Sequence, residues 1–91
     1  MNKVGVIKEV INLSKRTDCT VSSDGCGNRK YSFDENSLWY IVIEFGSYFD
    51  TGGGWLKYYT KDVAKYYELN PVEMLLIRNL FGSLLKSEQL L

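Results

Sequence analysis

The sequence predicts an α+β fold: one domain over residues 1–91, with an N-terminal helix, a three- to four-stranded antiparallel sheet and two C-terminal helices. Three observations carry that expectation. Apolar residues near both ends of the chain recur at helical spacing. Those of the middle alternate with period two between turns rich in Gly, Asp and Asn. With 91 residues, 45% hydrophobic and 24% charged, the chain can bury one small core and lacks the composition of a disordered segment. No linker, internal repeat or low-complexity tail divides it.

Residues 3–16 read as an amphipathic helix, with Val4, Ile7, Val10, Ile11 and Ser14 on one side and Lys3, Lys8, Glu9, Asn12, Lys15 and Arg16 mostly on the other. Gly5 weakens its first turn. Turn chemistry then fills residues 17–30, around short extended pieces at Thr20-Val21 and Arg29-Lys30. Tyr31-Ser-Phe33 alternates, and Asp34 to Ser37 is expected to be a four-residue hairpin loop.

Leu38 to Phe45 is the most strand-like segment. Trp39, Ile41, Ile43 and Phe45 share one face, and Leu38, Tyr40, Val42 and Glu44 the other, so both faces are apolar in the middle, as a central strand requires. A second hairpin turns through Asp50 to Gly54 and returns along Trp55 to Tyr59. Thr60 and Asp62 are read as the amino-terminal cap of a helix over residues 61–68. Asn70-Pro71-Val72-Glu73 is the sharpest local signal: Asn70 caps, Pro71 suits the first helical position and Glu73 closes a capping box. The last helix is expected to run to about Lys86.

Composition narrows the function classes. Eleven basic residues balance eleven acidic ones, which argues against a generally basic nucleic-acid binder. Without histidine, catalysis loses its commonest general base and metal binding its commonest ligand. Cys19 and Cys26 are read as free thiols, or as a disulfide across a turn at Asp24-Gly25; two thiolates alone make half a zinc site. No cofactor or metal is expected, and an enzyme is not. Val4-Gly5-Val6-Ile7 is cut short by Lys8 and Glu9, and the longest apolar run, Leu38 to Ile43, has six residues. A secretory signal and a membrane span are therefore not expected, and the expected location is cytoplasmic.

The balanced charge is a cancellation between unlike segments. Residues 1–30 carry a net +3, and residues 57–91 a net +1. Between Lys30 and Lys57 lie Asp34, Glu35, Glu44 and Asp50, a net of −4, with eight of the thirteen aromatics. Acidic groups beside Tyr and Trp suit a contact with a basic protein surface, such as that of a nucleic-acid-binding partner. The candidate contact residues are Asp34, Glu35, Tyr48, Phe49, Asp50 and Trp55, while Trp39 and Phe45 are expected in the core. The triple glycine 52–54 is read as a permissive hairpin loop rather than an anion cradle, because no Lys-Ser or Lys-Thr follows it.

The C-terminal segment carries two further expectations. Projected as a helix, Met74, Leu76, Ile77, Leu80, Phe81, Leu84 and Leu85 fill about half the cylinder, and Val72 and Leu75 add apolar surface opposite. Val72, Leu75 and Leu76 are therefore candidates for a homodimer seam or a partner helix contact. Val63, Ala64, Leu69, Met74 and Ile77 also fall where a resemblance to the helix-turn-helix family places its anchors. Glu68 stands where that family has glycine, and Val72, Leu75 and Leu76 where it has polar residues. Only Glu73, Arg78 and Asn79 would then reach DNA.

The order of helix, antiparallel strands and two helices resembles the layout of small phage-encoded anti-CRISPR inhibitors, across the whole chain as element order. Such inhibitors bind a CRISPR effector nuclease and block its DNA site. The resemblance thus implies a non-enzymatic module that inhibits or regulates a protein partner by occupying its surface. An immunity or antitoxin-like protein fits the same residues. The alternative expectation is a DNA-binding transcriptional regulator that uses residues 60–80.

Overall fold

The computed structural model describes residues 2–16, 18–23, 28–36 and 39–90, of which 34–36, 39 and 82–90 are described by their main chain. The chain runs through α1 (Lys3–Leu13), β1 (Cys19–Ser23), β2 (Arg29–Asn36), β3 (Trp39–Ser47), β4 (Gly54–Thr60), β5 (Ala64–Leu69) and α2 (Pro71–Leu90). The strands form one antiparallel sheet in sequence order, with β3 at its centre and β1 and β5 at its edges. Both helices lie on one face of the sheet.

Alternation along the strands decides which side chains meet the helices. Tyr31 and Phe33 of β2, Ile41, Ile43 and Phe45 of β3, Leu56 and Tyr58 of β4 and Leu69 of β5 are buried, as are Val6, Val10 and Leu13 of α1 and Met74, Ile77 and Phe81 of α2. The rings of Tyr31 and Phe81 stack at 4.3 Å between centroids, and Phe45 lies 5.7 Å from each. Such aromatic pairs add about 0.5–1.5 kcal/mol beyond area burial. Here they tie α2, which starts after β5, to β2 and β3 through Phe81.

Local chemistry fixes the helix ends. Asn2 Oδ1 accepts the Gly5 N–H at 2.9 Å, a cap that opens α1 despite the glycine. At α2 the expected capping box is formed: Glu73 N–H donates to Asn70 Oδ1 and Asn70 N–H to Glu73 Oε1, both at 2.9 Å. Lys3 Nζ reaches the same Glu73 oxygen at 2.9 Å, tying the start of α1 to the start of α2.

Three expectations are corrected. The helix over 61–68 does not exist: residues 64–69 form β5, so the sheet has five strands and one C-terminal helix follows it. Thr60 Oγ1 accepts the N–H groups of Asp62 (3.3 Å) and Val63 (3.2 Å), holding a two-residue turn rather than opening a helix. Beyond that turn, Tyr67 and Leu69 point inward while Tyr66 and Glu68 point outward, a period-two pattern completed by pairing with β4. The expected loop at Asp34 to Ser37 begins instead as strand: β2 runs to Asn36, with a register shift between Asp34 and Asn36, and Ser37 lies outside the described residues. The last helix extends to Leu90 rather than Lys86.

With residues 64–69 in a strand, residues 60–80 contain no helix-turn-helix, and the anchors Val63, Ala64 and Leu69 belong to a β-hairpin. The element order behind the anti-CRISPR resemblance also changes, to one helix, five strands and one helix. Among the described residues no helix is long and apolar enough to cross a membrane.

Candidate protein-contact site

Among the described residues, helices cover one face of the sheet. The other face carries Tyr40, Val42 and Glu44 of β3, Trp55, Lys57 and Tyr59 of β4 and Tyr66 and Glu68 of β5. In its middle, Tyr59 Oη donates to Glu44 Oε1 at 2.7 Å, and Lys30 Nζ stands 3.9 Å from the same oxygen. Burial first, and the adjacent Glu44 carboxylate second, push the Tyr59 phenol up to about 12. A hollow of about 280 Å³ beside this group is lined by Asn28, Arg29, Lys30, Glu44 and Trp55, among others. Among the described residues, no three metal-ligating side chains gather.

The end of the sheet formed by the β3–β4 turn has a different character. Tyr48 N–H donates to the Gly53 carbonyl at 2.8 Å, closing the turn, and Gly52 takes a positive φ of 78° that favours glycine. Gly53 N–H donates to Thr51 Oγ1 at 3.2 Å. A side chain at Gly52 would come within 3.8 Å of Pro71, so the turn stands beside the first residue of α2. Phe49 projects from this fixed turn with 99% of its surface exposed.

Two phenols converge next to it. Tyr48 Oη donates to the Glu68 carboxylate, 2.8 and 3.0 Å from its oxygens, and Tyr66 Oη donates to Glu68 Oε1 at 3.0 Å. The hydrogen bonds to Tyr66 and to Glu68 raise the Tyr48 phenol above its ordinary 10. Trp55, paired with Glu68 across β4–β5, lays its indole over Gly46. A Cβ at position 46 would lie 2.8 Å from Trp55 Cζ2 and closer still to Asn28 Oδ1. Lys57 Nζ sits 5.6 Å from the Trp55 ring centroid.

The predicted contact residues are thus divided. Tyr48, Phe49, Asp50 and Trp55 come together at one end of the sheet. Asp34 and Glu35 lie on β2 near the other end, where Asp34 pairs with Tyr40. Tyr48 stands eight steps along the chain from Tyr40, through β3 and its continuation, roughly 27 Å at strand rise. The side chains of Asp34, Glu35 and Trp39 lie outside the description, and so does Cys26; Cys19 is half-buried on β1. The acidic aromatic stretch is therefore not one patch in space. Tyr66 and Glu68 complete the end that does form, and reading 61–68 as a helix hid them. No local signal in residues 64–69 separates strand from helix, since Ala-Lys-Tyr-Tyr-Glu-Leu does not alternate in polarity.

The α2 residues sort by angle around the helix. Val72, Leu75 and Leu76 are 77%, 61% and 41% exposed and face away from Met74, Ile77 and Phe81. Glu73 is engaged in the capping box and with Lys3, and an Arg78 guanidinium nitrogen donates to Ser47 Oγ at 2.8 Å. Of the three side chains expected to reach DNA, Glu73 is half-buried and held by its partners, while Arg78 and Asn79 are exposed, Arg78 with its hydrogen bond to Ser47. Comparison with protein-family models, curated proteins and solved structures yields no match.

Proposed function

We propose that this protein is a non-enzymatic protein-binding module that inhibits or regulates a partner by occupying its surface. The β3–β4 turn end, centred on Phe49, makes the contact. The fully exposed Phe49 ring carries this reading: folding gains nothing from leaving that ring in water, whereas burying it against a partner gains roughly 1.5–3 kcal/mol. The turn beneath it is fixed by its own hydrogen bonds, so little ordering cost remains for binding. The Glu68 carboxylate between Tyr48 and Tyr66, with Asp50 next to Phe49 in the turn, favours a partner with a basic surface, such as a nucleic-acid-binding protein. Phage inhibitors of the anti-CRISPR kind and immunity proteins are modules of this class.

Affinity capture from the source cell tests the reading, with wild type, Phe49→Ala and Tyr40→Ala compared side by side. A partner retained at fixed stoichiometry by wild type and Tyr40→Ala, and lost by Phe49→Ala, supports the assignment. Capture of nothing, or equal retention by all three, sinks it.

A further inference from the structure

β5 ends the sheet, and its outer edge offers main-chain groups for pairing. The Thr60 N–H donates to the Val63 carbonyl at 2.7 Å, closing the hairpin. Antiparallel pairing then alternates, so Lys65, Tyr67 and Leu69 bond to β4 while the N–H and C=O groups of Ala64, Tyr66 and Glu68 face outward. Lys3 corroborates this, since its Nζ donates to the Glu68 carbonyl at 2.8 Å from outside the sheet. That lysine is the one partner shown for these outward groups among the described residues.

Edges of this kind are usually blunted by charged side chains, lysine above all, by proline, by a bulge or by a covering element. Within Ala64–Leu69 there is no proline, and the register with β4 is unbroken from Gly54↔Leu69 to Tyr59↔Ala64; Lys65, on the helix-side face, is the one lysine of the strand and guards the edge at a single position. Side chains near the edge state what an added strand must carry. Directly opposite residues share a face, with Cβ atoms about 4.5–5.5 Å apart. On the open face these positions are Ala64, which leaves room, Tyr66, which offers a ring, and Glu68, which offers a carboxylate.

We infer that β5 accepts an extended segment of a basic protein partner as a sixth, antiparallel strand, which displaces Lys3 from the Glu68 carbonyl, with a Lys or Arg opposite Glu68 and apolar residues opposite Tyr66 and Ala64. This deepens the protein-binding reading by naming the conformation and charge of the segment bound, and it rests on that reading.

The probe is the capped peptide Thr-Lys-Thr-Val-Thr-Ile, titrated into the full chain and followed by amide NMR and hydrogen exchange. The amides of Ala64, Tyr66 and Glu68 shift and exchange at least about tenfold more slowly, as newly bonded edge amides do. Replacing the peptide lysine by Glu weakens binding by about tenfold. Tyr66→Pro removes an outward N–H without touching the β4 ladder and abolishes binding. Tyr66→Ala, which keeps that N–H, weakens binding less, and Ala64→Pro serves as the second edge variant if Tyr66→Pro fails to fold. Binding that leaves the three amides unchanged, or that survives both proline variants, overturns the inference. So does slow exchange at these amides without peptide that grows with protein concentration, because a second copy then occupies the edge. Phe49→Ala leaves this titration unchanged, so failure of the strand addition and failure of the Phe49 contact are told apart.

Discussion

Met74 fills the space above Gly54 that a side chain would occupy: a Cβ at position 54 would collide with Met74 Sδ on one side and the Gly46 carbonyl oxygen on another. The missing side chain lets the first turns of α2 approach β4. Gly54→Ala is expected to cost about 1–3 kcal/mol through overpacking. Pairing it with Met74→Ala should cost less than the sum of the single changes, by about 0.5 kcal/mol or more, because truncation clears one of the two obstacles. Urea denaturation of the four proteins checks this, and strict additivity would show that Met74 is not the obstacle.

The two faces of α2 should respond to mutation very differently. Ile77 is fully buried, and Ile77→Ala is expected to cost about 2–5 kcal/mol. Leu75 points to solvent on the opposite side, and Leu75→Lys should change stability by less than about 0.5 kcal/mol. Light scattering on the Leu75→Lys protein separately tests the outer stripe as a dimer seam. An oligomer that dissociates on this change supports the seam, and a wild type that is monomeric at high concentration rules it out.

Acid should loosen the junction of the two helices. The Asn70 N–H first, and the Lys3 ammonium second, hold the Glu73 carboxyl below its ordinary 4.5. Because the folded pKa is below the unfolded one, this stabilisation is present above about pH 4.5 and is lost as pH falls through the folded value. The urea midpoint should therefore drop below pH 4.5, and drop less steeply in Glu73→Gln. Equal slopes in the two proteins would remove Glu73 from the acid response.

Alkali acts at the open face. The folded pKa of Tyr59, about 12, lies above its ordinary 10, so its contribution is complete below pH 10 and is lost as pH rises toward 12. Phenolate absorbance should show Tyr59 titrating late, and Tyr59→Phe should remove one late-titrating phenol. Glu44→Gln should move the transition only part of the way back, because burial is the larger cause.

The sequence by itself determined the elements whose signals are local. The presence of α1, the alternation of β3 with its apolar faces and the Asn70-Pro71-Val72-Glu73 cap of α2 are each written within a few residues. The Gly-rich turn was legible for the same reason, and the structure adds that Phe49 beside it is exposed. The face of α1 was not legible: the helix ends at Leu13 and buries Val6, Val10 and Leu13, whereas Val4 of the expected stripe is exposed, because the sheet and not the helix's own period decides which side is covered. Tertiary structure decided residues 64–69: Ala-Lys-Tyr-Tyr-Glu-Leu is compatible with either period, and the ladder offered by β4 selected the strand. It also decided that Asp34 and Glu35 lie near one end of the sheet and Tyr48 and Asp50 at the other, because a long strand carries sequence neighbours apart. The convergence of Tyr48 and Tyr66 on Glu68 required two turns and a shared sheet, a long-range pairing that no local pattern encodes.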